Sequence, residues 1–252
     1  MKYHIDTIPV WDAVKADTEC PLCALRRKTE RLLVERSLGA SVMSPDTRIR
    51  VNERGFCPAH QVMMFQTSGG NRLGHGLMML SHLQTIKPRI DKALGESKGA
   101  QRSGGLFRRI KNDKAPATQS ALSAFYDKCI LCEELQEQEK RYAASLVHLW
   151  KTDMAFRKAF SESKGLCVPD TEVVLQMAEE FLSGEPLIAF KKEVNTLLSD
   201  SLKRLEEELS WFTQKFDYRN AQKPWGDSKD ALERTVNKLR GWCLGNEPLQ
   251  DD

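Results

Sequence analysis

The sequence has no apolar run approaching the roughly 18 residues that a membrane-spanning helix needs, so a membrane association is not expected. The opening MKYHIDTIPVWDAVKAD lacks the charged-then-apolar order of an export signal. A cytoplasmic protein is therefore expected. An excess of one charge is missing too. The 38 Lys and Arg residues against 35 Asp and Glu leave a net charge of +3 over 252 residues. That is too little to argue for nucleic acid as a partner. Strand signals are scarce as well. Arg48-Ile49-Arg50-Val51 alternates, but one short strand would have no partner.

What is present is ordinary for a globular protein, with 40% apolar and 29% charged residues. A chain of this length can bury a core without disulfide staples. Charge is unevenly placed. Residues 1–95 carry a net +5, residues 96–118 a net +4, and residues 119–252 a net −6. Differently solvated surfaces account for this more simply than an anion-binding patch.

The seven cysteines are the strongest signal, at positions 20, 23, 57, 129, 132, 167 and 243. Cys20-Pro-Leu-Cys23 is followed, 34 positions after Cys23, by Gly55-Phe-Cys57-Pro-Ala-His60. Cys129-Ile-Leu-Cys132 is followed, 35 positions after Cys132, by Gly165-Leu-Cys167-Val-Pro-Asp170. The repeat predicts an internal duplication of a metal-binding unit. Cys20, Cys23, Cys57 and His60 then form a Cys3His set, a common structural zinc arrangement. Soft thiolates suit zinc over magnesium or calcium. In the second unit, Cys129, Cys132 and Cys167 are joined by Asp170 where the first has His60. A Cys3Asp zinc site is one reading of it; a copy that has lost its ion and persists as packing is the other. Other cysteine chemistries fit less well. There is no C-x-x-C-H for haem and no H-x-E of a zinc deaminase, and the surroundings are helical, unlike a thioredoxin-type motif. Cys243 is read as a small buried apolar residue.

Apolar spacing predicts helices over 22–38, from Ser44-Pro45 to Gly55, over 57–65, over 72–87 ending before Pro88, over 120–150, 152–161, 167–182, 186–216 and 228–242. The expected fold is mainly α: two duplicated helical zinc-binding units packed together, residues 1–94 and 120–252, with long C-terminal helices as an extension. A basic Gly/Ser-rich linker, 95–119, joins them. His75, His82 and His148 are expected to be structural, and Met63, Met64, Met78 and Met79 to fill the core. In the 216–227 loop, Trp225 is expected to plug the core and Asp217 to pair with Arg219 or a helix end, in preference to forming a binding surface.

Tyr3-His4-Ile5-Asp6-Thr7-Ile8-Pro9-Val10-Trp11, Asn71-Arg72-Leu73-Gly74 and the Lys215-to-Gly226 segment KFDYRNAQKPWG, together with the cysteine motifs, resemble an uncharacterised bacterial family defined only as a domain of unknown function. The resemblance spans nearly the whole chain. It implies a cytosolic protein of similar length and no assigned activity. It also implies a histidine in related members where this chain has Asp170, which makes the second site the variant one.

The functional expectation is a non-enzymatic, zinc-stabilised structural or interaction module with a protein partner, because a Cys3His zinc has no open coordination position. The alternative is a thiol-based redox or metal sensor that releases zinc on oxidation. An enzyme working near Asp170 is disfavoured, since no nucleophile–base pair stands beside it. Nucleic-acid binding is disfavoured by the acidic C-terminal part.

Overall fold

The computed structural model describes residues 6–67, 69–99, 122–123 and 125–241. Among the described residues there are ten α-helices and no strand. The helices are α1 (Thr7–Lys15), α2 (Pro21–Leu38), α3 (Pro45–Arg54), α4 (Pro58–Gln66), α5 (Arg72–Gly99), α6 (Ile130–Thr152), α7 (Met154–Ser161), α8 (Val168–Phe181), α9 (Glu185–Gln214) and α10 (Ala231–Arg240). None is long and apolar enough to cross a membrane.

Local signals explain several helix ends. Ser44 accepts from the Thr47 N–H at 3.5 Å and Pro45 opens α3, the arrangement that a capping serine and an N-terminal proline favour. Asp153 caps α7 through the amides of Ala155 and Phe156 at 2.9 and 3.1 Å. Two expected boundaries moved by ten residues or more. Helix α5 runs through Pro88 to Gly99. The proline removes one backbone donor, while the Lys87–Asp91 pair at 2.7 Å spans it on the helix surface. Helix α6 starts at Ile130 instead of 120, because Cys129 stands at its cap after a turn at 125–127.

The chain divides into two compact units, but not where the linker was expected. One comprises Met1–Thr29 and Gln136–Asp252; the other is Glu30–Leu135. The divisions fall inside α2 and α6, so the 1–94 and 120–252 partition is replaced by an interleaved one. Of the expected linker, residues 95–99 end α5 and residues 100–119 lie outside the described residues. Cys243 lies outside them too.

In the interleaved unit, Val10, Leu25, Leu146, Phe156, Phe160, Val174 and Phe190 share one core. Trp11 stands edge-on to Phe156, ring centroids 5.5 Å apart. Its Nε1–H donates to Asp153 Oδ2 at 2.9 Å, so the residue that caps α7 also ties it to α1. The central unit has its own core of Val34, Leu38, Val51, Met64, Met78 and Ile130. Met64 and Met78 are buried as expected, and Met63 packs partly buried beside them. Trp225 departs from expectation. It is half-buried, and Phe212 and the exposed Phe216 pack against it at 5.8 and 6.4 Å. The 216–227 loop is held instead by Lys215, whose Nζ donates to the carbonyls of Asn220, Ala221 and Lys223 at 2.7, 3.0 and 2.5 Å. Asp217 pairs with Arg219 at 2.6 Å as expected.

Candidate metal centres

Each of the four cysteine-led motifs sits on the first turn of a helix. Cys57 and Cys167 are the N-caps of α4 and α8. Cys20 and Cys129 immediately precede α2 and α6. The carbonyls of Cys20, Cys57, Cys129 and Cys167 accept the first helical hydrogen bonds, from Ala24, Gln61, Glu133 and Thr171, at 2.9–3.1 Å. The fourth residue of each motif, Cys23, His60, Cys132 or Asp170, is therefore at position N3. Cap and N3 side chains both project over the open end of the helix. That is the physical content of the two-residue spacing. Four helix N-termini thus aim their positive dipole ends at the sulfurs, which favours thiolates.

The pairing of these motifs is crossed relative to the sequence expectation. Cys57 and His60 converge with Cys129 and Cys132, and Cys20 and Cys23 converge with Cys167 and Asp170. All eight candidate residues are brought together, but each C-x2-C pair joins the later motif of the other half. The reason is that four ligands must come from two helix starts that face one another. The helix starts of α4 and α6 face each other in the central unit, and those of α2 and α8 in the interleaved one.

In each cluster the candidate ligand atoms lie within 4.8 Å of one another. In the first, Cys57 Sγ is 3.2 Å from His60 Nδ1 and 3.7 Å from Cys132 Sγ. Cys129 and Cys132 Sγ lie 3.3 and 3.5 Å from the same nitrogen. In the second, Asp170 Oδ2 is 3.1 Å from Cys20 Sγ and 3.2 Å from Cys23 Sγ, and Cys23 and Cys167 sulfurs are 3.5 Å apart. A tetrahedron with ordinary zinc–ligand bonds places sulfurs about 3.8 Å apart and sulfur and nitrogen about 3.5 Å apart. Both donor sets therefore fit a tetrahedral ion. The six described cysteines are free thiols.

Without an ion the clusters carry electrostatic conflict. Against the cost of burial, the Cys129 sulfur, Glu30 and Cys57 push the His60 pKa up to about 10. Against burial again, His60 and backbone hydrogen bonds at Cys57 and Cys132 hold Cys129 down to about 6. Burial and the neighbouring Cys129 push Cys132 the other way, upward. In the second cluster Cys20 and Cys23 hold Cys167 down to about 6 by hydrogen bonding to it. Burial then pushes Cys20 up to about 12. Burial and the Cys20 sulfur keep the Asp170 carboxyl well above the ordinary carboxylate range. Each cluster thus favours one thiolate and opposes further negative charge. A divalent cation removes that opposition, because ligands must shed protons to bind it.

Beside the first cluster, Glu30 carried no signal in the sequence. Glu30 is buried, and its Oε1 lies 3.2 Å from Nε2 of His60. A carboxylate behind a ligating imidazole fixes its orientation and raises its basicity. Gly55 has φ +65°, and a Cβ there would lie 2.7 Å from Nε2 of His82. His82 Nδ1 lies 2.9 Å from the Asn52 carbonyl, so this histidine is structural, as expected. His75 is as well, with Nε2 2.8 Å from Gln61 Oε1, while His148 is half-buried.

Behind the second cluster is Lys238, fully buried, whose Nζ donates to the Glu19 and Lys164 carbonyls at 2.6 and 2.7 Å. Burial lowers its pKa. The buried Glu19 carboxylate accepts two hydrogen bonds from Arg204, at 2.7 and 2.8 Å. Arg234 stands 3.4 Å from it and also pairs with Glu208.

An uncharacterised 23.9 kDa protein encoded in the xynA 3′ region of Caldicellulosiruptor sp. (strain Rt8B.4) is 20% identical over 239 residues, spanning 92% of this chain and 94% of that protein. No solved structure matches. Residues 1–246 match a family of unknown function, DUF6062, and the chain belongs to that family.

Proposed function

We propose that the protein binds two zinc ions, one at Cys57, His60, Cys129 and Cys132 and one at Cys20, Cys23, Cys167 and Asp170. On this reading it serves as a non-enzymatic structural or interaction module in the cytoplasm, with a protein partner. The observation that carries it is the convergence of four ligand atoms per cluster, all supplied by the cap and N3 positions of facing helix starts. Three thiolates with an imidazole or a carboxylate favour zinc among common divalent ions. Each ion would join segments distant in sequence, so the free energy of binding would be folding free energy. Four matching cap-and-N3 pairs also support an internal duplication in which the halves exchange their C-x2-C elements.

Elemental analysis of the native protein and of two pairs of variants tests this. Two zinc ions are expected per chain. Cys57→Ser and Cys132→Ser should lose the same ion, and Cys20→Ser and Cys167→Ser the other. Iron in place of zinc, or retention of both ions in these variants, would overturn the reading.

A second reading has an observation of its own. Cys132 is exposed and Cys57 half-exposed, their sulfurs 3.7 Å apart. An oxidant reaching them would draw two electrons, form a disulfide and release zinc, as a thiol-based redox sensor does. Mild peroxide should then eject one zinc per chain, from the His60 cluster; retention of both ions would sink this alternative.

A further inference from the structure

The two clusters differ in what lies beside their fourth ligand. His60 is buried and backed by Glu30. Asp170 is half-buried, and besides facing the Cys20 and Cys23 sulfurs it forms part of the wall of a cleft. The cleft has a volume of about 230 Å³. That is many times the volume that holds one water, enough for a small organic molecule. Its wall has an apolar part, Leu22, Val173 and Met177, and a polar part with the Gln136 amide, the exposed Lys140 ammonium and the Glu139 carboxylate, whose charge is met by Arg26 at 2.7 Å.

The donor chemistry says which molecule suits the place. Asp170 is the one hard donor among three soft sulfurs, and a soft or borderline ion holds a carboxylate less well than a thiolate. It is also the cluster member that the cleft reaches. We propose that the Cys20–Cys23–Cys167–Asp170 cluster is an exchangeable site, in which a small thiol bearing an anionic group enters the cleft and takes the place of Asp170. Lys140 receives the anionic group, and Leu22, Val173 and Met177 pack against the carbon chain. The exchange balances without an oxidant. The bond from the ion to the Asp170 oxygen breaks, a bond to the incoming sulfur forms, and the proton of the thiol passes to solvent. The proposal rests on the reading that this cluster holds a metal ion, and the His60 cluster serves as the internal control.

Cobalt-substituted protein titrated with 3-mercaptopropionate tests it, with 2-mercaptoethanol as the uncharged comparison. The expected result is a saturable rise in the sulfur-to-cobalt charge-transfer absorption in the native protein. The rise should come at lower thiol concentration in Asp170→Ala, and be lost in Asp170→His, where an imidazole closes the site. Val173→Trp fills the cleft without touching a ligand, and should abolish the rise while keeping two cobalt ions per chain. Lys140→Ala should weaken the response to 3-mercaptopropionate and leave that to 2-mercaptoethanol unchanged. Two bound cobalt ions with no spectral change in native protein and Asp170→Ala would overturn the exchange while leaving the metal reading intact. An equal response in Asp170→His and Val173→Trp would overturn it as well, by moving the thiol elsewhere. A single ion, retained in Cys167→Ser, would overturn the metal reading of this cluster and the exchange together.

Discussion

The His60 cluster and the Asp170 cluster are built from the same local part and supported by different surroundings. In the first, the Ile130 N–H donates to the Gly55 carbonyl at 3.2 Å, so a main-chain hydrogen bond links the two facing helix starts, beside the Arg54–Glu133 ion pair. The corresponding position in the second is Pro21, which has no N–H to give. There the Lys238 ammonium bridges the carbonyls of Glu19 and Lys164, which lead into Cys20 and Cys167. One link is a main-chain hydrogen bond that survives most substitutions. The other depends on a single buried side chain from α10, far along the chain. The fourth ligands diverge in the same sense: His60 is buried against Glu30, and Asp170 meets a cleft. The comparison teaches that one ligand-presenting turn serves a closed site or an open one according to what packs behind it.

On the proposed zinc reading, the largest expected effect comes from removing the ions. Structural zinc contributes on the order of 10–16 kcal/mol of apparent binding free energy at neutral pH. Chelation should therefore abolish the cooperative thermal transition, followed by circular dichroism. As pH falls, the Asp170 cluster should lose its ion first, because hydrogen bonds with Cys167 and Cys20 favour the protonated form of Cys23, and burial favours those of Cys20 and Asp170. Metal content measured across a pH series checks that order; loss of the His60 ion first would break the comparison.

Next in size are the cysteine variants. Crossed pairing requires Cys132→Ser to mimic Cys57→Ser, although 75 residues separate them. It should leave the Cys20 ion in place. A Cys132→Ser protein that instead shares its loss with Cys167→Ser would restore the uncrossed arrangement.

Lys238→Met should cost about 1–3 kcal/mol, the penalty for leaving a buried acceptor unsatisfied. Urea denaturation of the metal-loaded protein would show it. The cost should fall on the Asp170 side, with the affinity of the His60 cluster unchanged.

Glu30→Gln sharpens the contrast from the other side. Losing a carboxylate behind a ligating histidine lowers metal affinity by about 10–100-fold, roughly 1.4–2.7 kcal/mol. Competition with a chromophoric chelator should report that drop for one ion of the two.

Much of the site was legible because its signals are short-range. A cysteine at a helix cap and a ligand three residues later is a pattern within one turn, so Cys57 with His60 and Cys167 with Asp170 could be read as ligand pairs before any fold was known. Ser44, Pro45 and Gly55 marked the ends of α3 by the same local logic. Pro88 was misleading, because a proline costs one hydrogen bond while the rest of α5 continues to pay into the helix. Glu30, Glu19 and Lys238 were illegible, since nothing in their neighbouring residues distinguishes them from solvated charges until the tertiary contacts bury them.

The sequence by itself determined the candidate ligand types, their spacing, the mainly helical fold and the presence of Asp170 at the motif position that holds His60 in the other half. Those properties depend on side-chain chemistry and on backbone geometry over three or four residues. Tertiary structure decided which helix start faces which, and with it the crossed pairing. It also decided that the units part inside α2 and α6, and that Asp170 and not His60 borders a cleft. Two similar C-x2-C turns present the same sulfurs at the same spacing, so no local rule tells them apart. Their partners are chosen by the packing of whole helices, which sums contacts between residues scattered along the entire chain.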